Sequence, residues 1–379
     1  MSARRSNGPG IATRVFGSQW FVSVLAVLIA FAIGAILIAL SGASVLDAYY
    51  AMFRGSIVDP NASTFVRQIK PLTDSLFYSI PLIISGLGLA LGFRAGLFNI
   101  GGKGQIIVGA LAAVWVGFAV NLPPVLHTLV ALLVAVIAGG LYAGIAGVLK
   151  AKTGANEVIV TIMLNSIATL GLGYTLAQKA WQVPGTNQPV TPKVAESAAL
   201  ARLLPAPFKL HVGFLVALVA LVAFWWLIER STLGFQIRAV GANAAAARTA
   251  GISVERITAI TMVLSGAFLG LAGANEALGT IGYVSRDVAG SIGFDAITVA
   301  LLGRNKTWGT FGAGLLFGAF KAGGYTMQAK GVPIDMILIL QSVIVLLIAA
   351  PALVRWLFRL PDVRALAANT RKGNADEHK

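Results

Sequence analysis

Residues 125–149 read VLHTLVALLVAVIAGGLYAGIAGVL, a stretch of 25 residues without Asp, Glu, Lys or Arg. About 20 consecutive apolar residues in an α-helix cross the roughly 30 Å hydrocarbon core of a bilayer, so this stretch predicts a transmembrane helix. Hydropathy predicts further spans at residues 20–40, 74–93, 104–120, 156–176, 211–229, 254–275, 290–303, 309–329 and 333–357. The expected fold class is therefore all-α, a polytopic membrane protein of about ten transmembrane helices. The span at 290–303 is short, and we expect it to be tilted, broken or re-entrant.

The composition also indicates a membrane protein. Of the 379 residues, 57% are hydrophobic and only 11% are charged, which is too little charge to cover the surface of a soluble domain of this length. The 43 glycines suit closely packed membrane helices, and Gly266 and Gly270 have the four-residue spacing that lets two helix backbones approach. The sequence contains no cysteine, which excludes disulfides and thiolate chemistry.

Basic residues lie mostly between the predicted spans, which explains the net charge of +15 without nucleic acid as a partner. With the N-terminus in the cytoplasm, 19 Lys and Arg residues fall in inside segments and 9 in outside segments. The positive-inside rule then predicts cytoplasmic N- and C-termini and an even number of spans. We expect a cytoplasmic N-terminal segment (1–19), a transmembrane domain (20–360) and a polar, disordered cytoplasmic tail (361–379).

Motifs for catalysis are missing or incomplete in this sequence. The stretch GLFNIGGKGQ (96–105) is similar to a phosphate-binding P-loop, but Leu97 stands where the motif needs glycine and Gly104 stands where it needs Ser or Thr. The three histidines are too few and too scattered for a metal site. We therefore expect no enzymatic activity and no metal or cofactor, and any ATP hydrolysis would belong to another chain.

Polar side chains within apolar spans are costly in hydrocarbon, so each is either paired inside the protein or lines a path for a solute. Asn99 and Gln105 flank a glycine-rich break, where irregular backbone is tolerated only if protein buries it or if it lines a cavity. Both interpretations stay open, as does the question of whether residues 96–105 lie in the cytoplasm or re-enter the bilayer. The candidate residues of a substrate path are Asn99, Gln105, Asn165, Asn275 and Glu276.

Other charged residues of the spans have structural interpretations. Glu157 opens a predicted helix, where the helix dipole favours a carboxylate. Asp295 and Lys321 lie in neighbouring predicted spans, and an ion pair between them would reduce the cost of burying both charges. We therefore predict a contact between Asp295 and Lys321.

The longest internal inside segment, between Arg230 and Arg256, has an alanine-rich core bounded by Gly241 and Gly251. Alanine favours helix, and glycine permits sharp chain reversals at helix ends. The pattern predicts a short helix that lies at the cytoplasmic surface of the membrane.

Four stretches together resemble a known family. They are RAGLFNIGGKGQIIVGA (94–110), TGANEVIVTIMLN (153–165), GFQIRAVGANAAAARTAGIS (234–253) and GFDAITVALLG (293–303). Over residues 75–350 the chain resembles the permeases of bacterial ABC importers for branched-chain amino acids, simple sugars and nucleosides. The second stretch is most similar to the nucleoside branch. Many relatives have a proline after the last stretch, where this chain has Thr307 and Trp308.

The resemblance implies a permease subunit of the bacterial inner membrane that moves nucleosides by ATP-driven alternating access. It implies four partners: an ATP-binding ABC subunit, a second permease subunit, an extracytoplasmic substrate-binding lipoprotein and membrane lipids. The segment 234–253 would be the coupling helix that contacts the ATPase, and its functional positions would be Arg238, Gly241, Asn243 and Gly251. The alternative for this segment is a helix that only rests on the lipid surface.

Two other functions stay open at this point. One is a permease of the same family for simple sugars or branched-chain amino acids. The other is an ion-coupled secondary transporter, which needs a carboxylate near the bilayer midplane and inverted repeats. Glu276 and Asp295 would be the carboxylates of such a transporter, but the sequence shows no convincing repeat.

Overall fold

The computed structural model describes residues 19–329 and 331–333, together with the pairs 338–339, 342–343 and 346–347. Almost all of the predicted N-terminal segment (1–19), most of the last predicted span (333–357) and the whole predicted tail (361–379) lie outside the described residues. The chain divides into two compact units by its internal contacts. One contains the first described helix, ends at Tyr49 and resumes at Met327, and the other covers Tyr50–Thr326.

The described secondary structure is helical, apart from one isolated antiparallel bridge between Arg202 and His211. Two helices end in a wider, π-helical turn, at Trp226–Arg230 and Glu276–Ile281, and a single 3₁₀ turn covers Lys179–Trp181. The α-helices are Gln19–Leu40 (α1), Val45–Ser56 (α2), Phe65–Arg94 (α3), Gly102–Ala119 (α4), Leu126–Thr153 (α5), Glu157–Ala177 (α6), Gly213–Trp225 (α7), Thr232–Ala242 (α8), Ala244–Thr249 (α9), Val254–Asn275 (α10), Ile292–Leu302 (α11) and Thr307–Gln328 (α12).

Six helical segments among the described residues are long and apolar enough to cross a membrane, which confirms the all-α, multi-pass class. They are Phe65–Arg94, Gly102–Ala119, Leu126–Thr153, Glu157–Ala177, Gly213–Arg230 and Val254–Ile281. The expected number of about ten spans is not confirmed. Helix α11 has only 11 residues and is therefore about 16 Å long, which is too short for a full crossing, as its sequence indicated.

Helix α3 begins nine residues before the predicted span at 74–93, because its first turns carry charge that hydropathy does not recognise as membrane sequence. The hydroxyl of Thr64 caps this helix by accepting from the backbone N–H of Arg67 at 3.4 Å. Lys70 and Asp74, one turn apart, form an ion pair that supports the added turns.

Helix α10 packs against α3, α4 and α5 and depends on glycine to do so. A Cβ atom built on Gly270 would lie 2.3 Å from the carbonyl oxygen of Ala135 in α5. A Cβ atom on Gly109 of α4 would lie 2.4 Å from the Cα of Gly270. The predicted role of Gly266 and Gly270 in helix packing is confirmed, since a Cβ on Gly266 would lie 2.3 Å from the carbonyl oxygen of Gly139.

We expect the substitution Gly270→Ala to lower the free energy of unfolding by about 1–3 kcal/mol, because the new methyl group would overlap backbone atoms that cannot rotate away. The matched control is Gly171→Ala on α6, where a Cβ has no atom within 4 Å. Thermal unfolding of the purified protein in detergent measures both. Equal melting temperatures for the two variants would contradict this account of the packing.

Candidate functional site

The break between α3 and α4 (95–101) is held by a closed set of side-chain hydrogen bonds. The Asn99 amide donates to Oε1 of Gln105 and to the hydroxyl of Ser265, each at 3.0 Å. Its oxygen accepts from the Gln105 amide at 3.0 Å and from the backbone N–H of Gly101 at 2.9 Å. Asn99 and Gln105 are each only 1% exposed. Of the two interpretations of this break, the internally satisfied one accounts for all of these contacts, and a role of these residues in a substrate path stays a prediction.

Side chains of α6 satisfy the backbone groups that the break leaves without helical partners. Asn165 accepts from the N–H of Gly104 at 2.7 Å and donates to the carbonyl of Ile100 at 2.8 Å. The hydroxyl of Thr161 accepts from the N–H of Ile100 at 3.3 Å. Irregular backbone is tolerated at membrane depth only when its polar groups are paired in this way.

The break lies inside the bundle and not at its end. Ser265, which contacts Asn99, is the twelfth residue of α10 and therefore about 16 Å from the start of that helix. Asn165 is the ninth residue of α6, about 12 Å from its start. Residues 96–105 therefore enter the interior of the helix bundle, and their location within the bilayer stays a prediction.

Several helix ends meet at one end of the bundle, which we call the Arg94 end. The Arg94 guanidinium donates to the carbonyl of Asn305 at 2.7 Å and lies 3.9 Å from a carboxylate oxygen of Glu229. A Cβ on Gly241 would lie 2.0 Å from the carbonyl oxygen of Arg94. The ends of α3, α7 and α8 and the turn between α11 and α12 are thus tied together.

The predicted surface helix is two short helices at the Arg94 end. Ser231 caps α8 by accepting from the N–H of Gly234 at 2.9 Å, and Asn243 interrupts the helix and caps α9 by accepting from the N–H of Ala246 at 3.0 Å. Gly251 has φ +82° and follows α9, where glycine avoids the strain of a side chain. The prediction of a single helix is wrong here. The Asn243 side chain, in the middle of the segment, caps the start of a second helix, so the first helix ends before it.

An open, largely apolar groove lies between α8 and α9. Its volume is about 580 Å³. The side chain of Phe235 is 61% exposed beside it, and nearly all of α9 is exposed. The residues that line it include Phe235, Gln236, Ala239, Asn243, Ala247 and Ile252.

Three of the four predicted coupling positions have identifiable structural roles in this chain. Asn243 and Gly251 set the ends of α9, and Gly241 lets α8 approach the end of α3 closely. Arg238 is half-buried, and its Nη1 atom is buried without a hydrogen-bond partner among the described residues. Whether any of the four contacts an ATPase stays a prediction.

Asn275 lies beside a histidine that the sequence did not single out. Asn275 is fully buried and donates to the carbonyl of Gly213 at 3.3 Å, while its own oxygen has no partner among the described residues. His211, just before α7, is 1% exposed and accepts from the N–H of Gly213 at 3.1 Å. Burial lowers the pKa of His211 to about 4, so the ring is neutral at pH 7. In the described part of the chain, no three His, Asp or Glu side chains converge as metal ligands.

The predicted pair of Asp295 and Lys321 is confirmed, with 3.6 Å between a carboxylate oxygen and the ammonium nitrogen. Glu157 occupies the first turn of α6, as predicted, and also pairs with Lys150 at 2.9 Å. The second contact could not be read from the sequence, because it depends on the turn between α5 and α6.

Residues 72–349 match the family described as branched-chain amino acid transport system / permease component. The chain belongs to this permease family. The match covers most of the chain, including the break at residues 95–101, helices α8 and α9 and the Asp295–Lys321 pair.

Curated relatives of this permease carry substrate names. It is 40% identical to a guanosine ABC transporter permease protein of Bacillus subtilis, over 89% of this chain and 95% of that protein. It is 36% identical to a glucose ABC transporter permease protein of Haloferax volcanii, over 85% of each chain. It is 31% identical to a nucleoside ABC transporter permease protein of Lactococcus lactis, over 92% of this chain and 95% of that one. No solved structure matches the chain.

Proposed function

We propose that this permease moves nucleosides across the cytoplasmic membrane as a subunit of an ABC importer driven by ATP. The observation that carries the proposal is the similarity to the guanosine permease, which extends over 95% of that protein and is higher than the similarity to the glucose permease. A second relative named for nucleosides matches over nearly its whole length as well.

In this proposal the Arg94 end faces the cytoplasm. Arg94, Arg230 and Arg304 all lie in segments that the positive-inside rule assigns to that side. Helices α8 and α9 are the coupling element for an ATP-binding ABC subunit, and the exposed Phe235 and the groove beside it supply apolar surface for that contact. A second permease subunit and an extracytoplasmic substrate-binding lipoprotein complete the importer.

The mechanism that we propose is alternating access. ATP binding closes the ATPase pair, α8 and α9 move with it, and Gly241 transmits the motion through its close contact with the end of α3. Because α3 leads directly into the break at 95–101, this motion reaches the interior of the bundle. Asn99, Gln105, Asn165, Asn275 and Glu276 remain the proposed residues of the path, with the hydrogen bonds of the break being exchanged as the path opens.

A sugar permease is the second candidate, and the 36% identity to the glucose permease favours it specifically. Transport of branched-chain amino acids has support only from the family description. An ion-coupled secondary transporter has less support, because the family and the relatives above are permeases of ABC systems.

Uptake of labelled adenosine, glucose and leucine by cells that carry the complete transporter, with and without this chain, tests the proposal. A second set of cells is depleted of ATP while a proton gradient is kept. We expect adenosine uptake to require both this chain and ATP. Uptake of glucose alone would favour the sugar permease, and uptake that survives ATP depletion would overturn the importer.

A further inference from the structure

Charged residues of three helices meet around Lys321 in the interior of the bundle. The Lys321 ammonium lies 3.6 Å from Asp295 of α11 and interacts electrostatically with Glu276 at the end of α10. The Ser291 hydroxyl donates to the same oxygen of Asp295 at 2.6 Å. We call these four residues the Lys321 cluster. It holds one cation beside two carboxyl groups, so it retains oxygen atoms that can accept hydrogen bonds.

The Lys321 cluster lies at membrane depth. Lys321 is the fifteenth residue of α12, about 21 Å from its first residue and about 10 Å from its last. Val299 of α11 packs on Gly86, which is eight residues and thus about 12 Å from Arg94. Asp295 is one helical turn further from the Arg94 end. Both estimates place the charges well inside a hydrocarbon core about 30 Å thick.

The cluster is nevertheless partly open. The side chains of Lys321 and Asp295 are 29% and 16% exposed. A charge in contact with lipid tails costs several kcal/mol, so a side chain of this kind faces water or another polypeptide. The outer face of α5 differs, because its exposed side chains at helical spacing are Leu129, Leu133, Ile137, Leu141 and Ile145, which suit lipid.

Polar side chains continue from the Lys321 cluster toward the end of the bundle opposite Arg94. The rings of Tyr78 and Tyr325 lie 5.3 Å apart with 36° between their planes, and Tyr325 is 45% exposed. Asp74 lies one helical turn before Tyr78 on α3 and pairs with Lys70, so a strip of polar side chains continues from Tyr78 toward the start of that helix.

We propose that this strip is one wall of the solute path and that the Lys321 cluster binds vicinal hydroxyl groups of the solute, while the exposed face of Tyr325 stacks on its ring. Carboxylate oxygens accept from hydroxyls and the ammonium donates to hydroxyl oxygens, and such charge-assisted hydrogen bonds are the stronger kind. Ribose in nucleosides and free sugars share this chemistry. The inference rests on the proposed function, since it assumes that the chain transports such a solute.

The test uses the complete transporter in proteoliposomes, with its binding protein and ATP, and compares uptake of adenosine with uptake of 2′,3′-dideoxyadenosine, which lacks the two ribose hydroxyls. Glucose is the third substrate. It shows whether the bound hydroxyl groups belong to a nucleoside or to a free sugar. We expect Lys321→Met to lower uptake of the hydroxylated substrate about tenfold, as for the loss of one charge-assisted hydrogen bond. Uptake of dideoxyadenosine should change much less. The unmodified and the Lys321→Met transporters contain the same binding protein. A change in the ratio of adenosine uptake to dideoxyadenosine uptake therefore comes from the permease.

Lys150→Met is the matched control, because it also breaks an ion pair with a half-buried carboxylate, that of Glu157. The pair of Lys150 and Glu157 is 35% and 12% exposed, close to the values of the Lys321 pair. This control should leave both uptake rates and their ratio unchanged. If Lys321→Met does not assemble, the double variant Lys321→Met, Asp295→Asn removes the charges together and leaves no unpaired carboxylate of that pair. The same loss of discrimination is then expected.

Three results would overturn the inference. Unchanged uptake of adenosine and glucose by the Lys321 variants is one. An equal loss of adenosine and dideoxyadenosine uptake is another, because it indicates a general block. Failure of both variants to co-purify with the other subunits, while Lys150→Met does so, would assign the strip to a contact between subunits. Failure of the proposed function itself would be recognised separately, because the unmodified transporter would then not take up adenosine.

Discussion

Replacing Asn165 by leucine is expected to destabilise the permease by about 2–5 kcal/mol, one of the two largest effects predicted for this chain. The physical reason is that Asn165 pairs two backbone groups at once, the N–H of Gly104 and the carbonyl of Ile100. Both lie at the buried break between α3 and α4, where neither water nor a helical partner replaces the lost amide. Each would be left buried without a hydrogen bond.

The control for this prediction is Thr169→Val, one turn further along α6. The Thr169 hydroxyl donates to the carbonyl of Asn165 within its own helix, and the residue is exposed. Removing it therefore leaves no buried group of another helix unpaired. Melting temperatures of the purified proteins in detergent measure both changes. A stable Asn165→Leu protein would show that the break does not need its α6 partners.

Replacing Phe235 by aspartate is expected to reduce ATP-driven uptake at least about tenfold while the folded permease is retained. Phe235 is 61% exposed at the groove between α8 and α9, so its loss costs little internal packing. A new carboxylate on an apolar contact surface must be desolvated without a partner, which costs a few kcal/mol and weakens the contact with the ATPase. The measurement is uptake together with co-purification of the ATP-binding subunit.

Trp308→Asp is the control for this substitution. Trp308 is another exposed aromatic residue near the Arg94 end, 68% exposed in the first turn of α12, and it does not line the groove. Its replacement should leave uptake intact if the effect is specific to α8 and α9. Gly241 is less suitable for this purpose, because any side chain there would overlap the backbone of Arg94 and disturb the fold itself. Normal uptake by Phe235→Asp would remove the groove from the coupling mechanism.

Local patterns in the sequence were sufficient to predict the class of the fold and the positions of most helices. Each predicted span that lies wholly among the described residues contains a helix, because hydropathy over about 20 residues reflects the requirement to bury backbone groups in hydrocarbon. Helix α2 (Val45–Ser56) was not expected, since twelve residues that include charge do not resemble a span. The pairing of Asp295 with Lys321 was predictable because isolated charges are costly at membrane depth.

The sequence by itself therefore determined the membrane class, the positions of most helices, the glycine contact of α10 and the Asp295–Lys321 pair, all of which follow from local composition and spacing. The tertiary structure decided that the break at residues 95–101 lies inside the bundle, that Asn165 supports it from another helix and that Lys150 pairs with Glu157. It also decided that Ser291 and Lys321 contact the same carboxylate oxygen of Asp295. These contacts join residues from different helices, and no local pattern encodes the packing angles that bring such helices together.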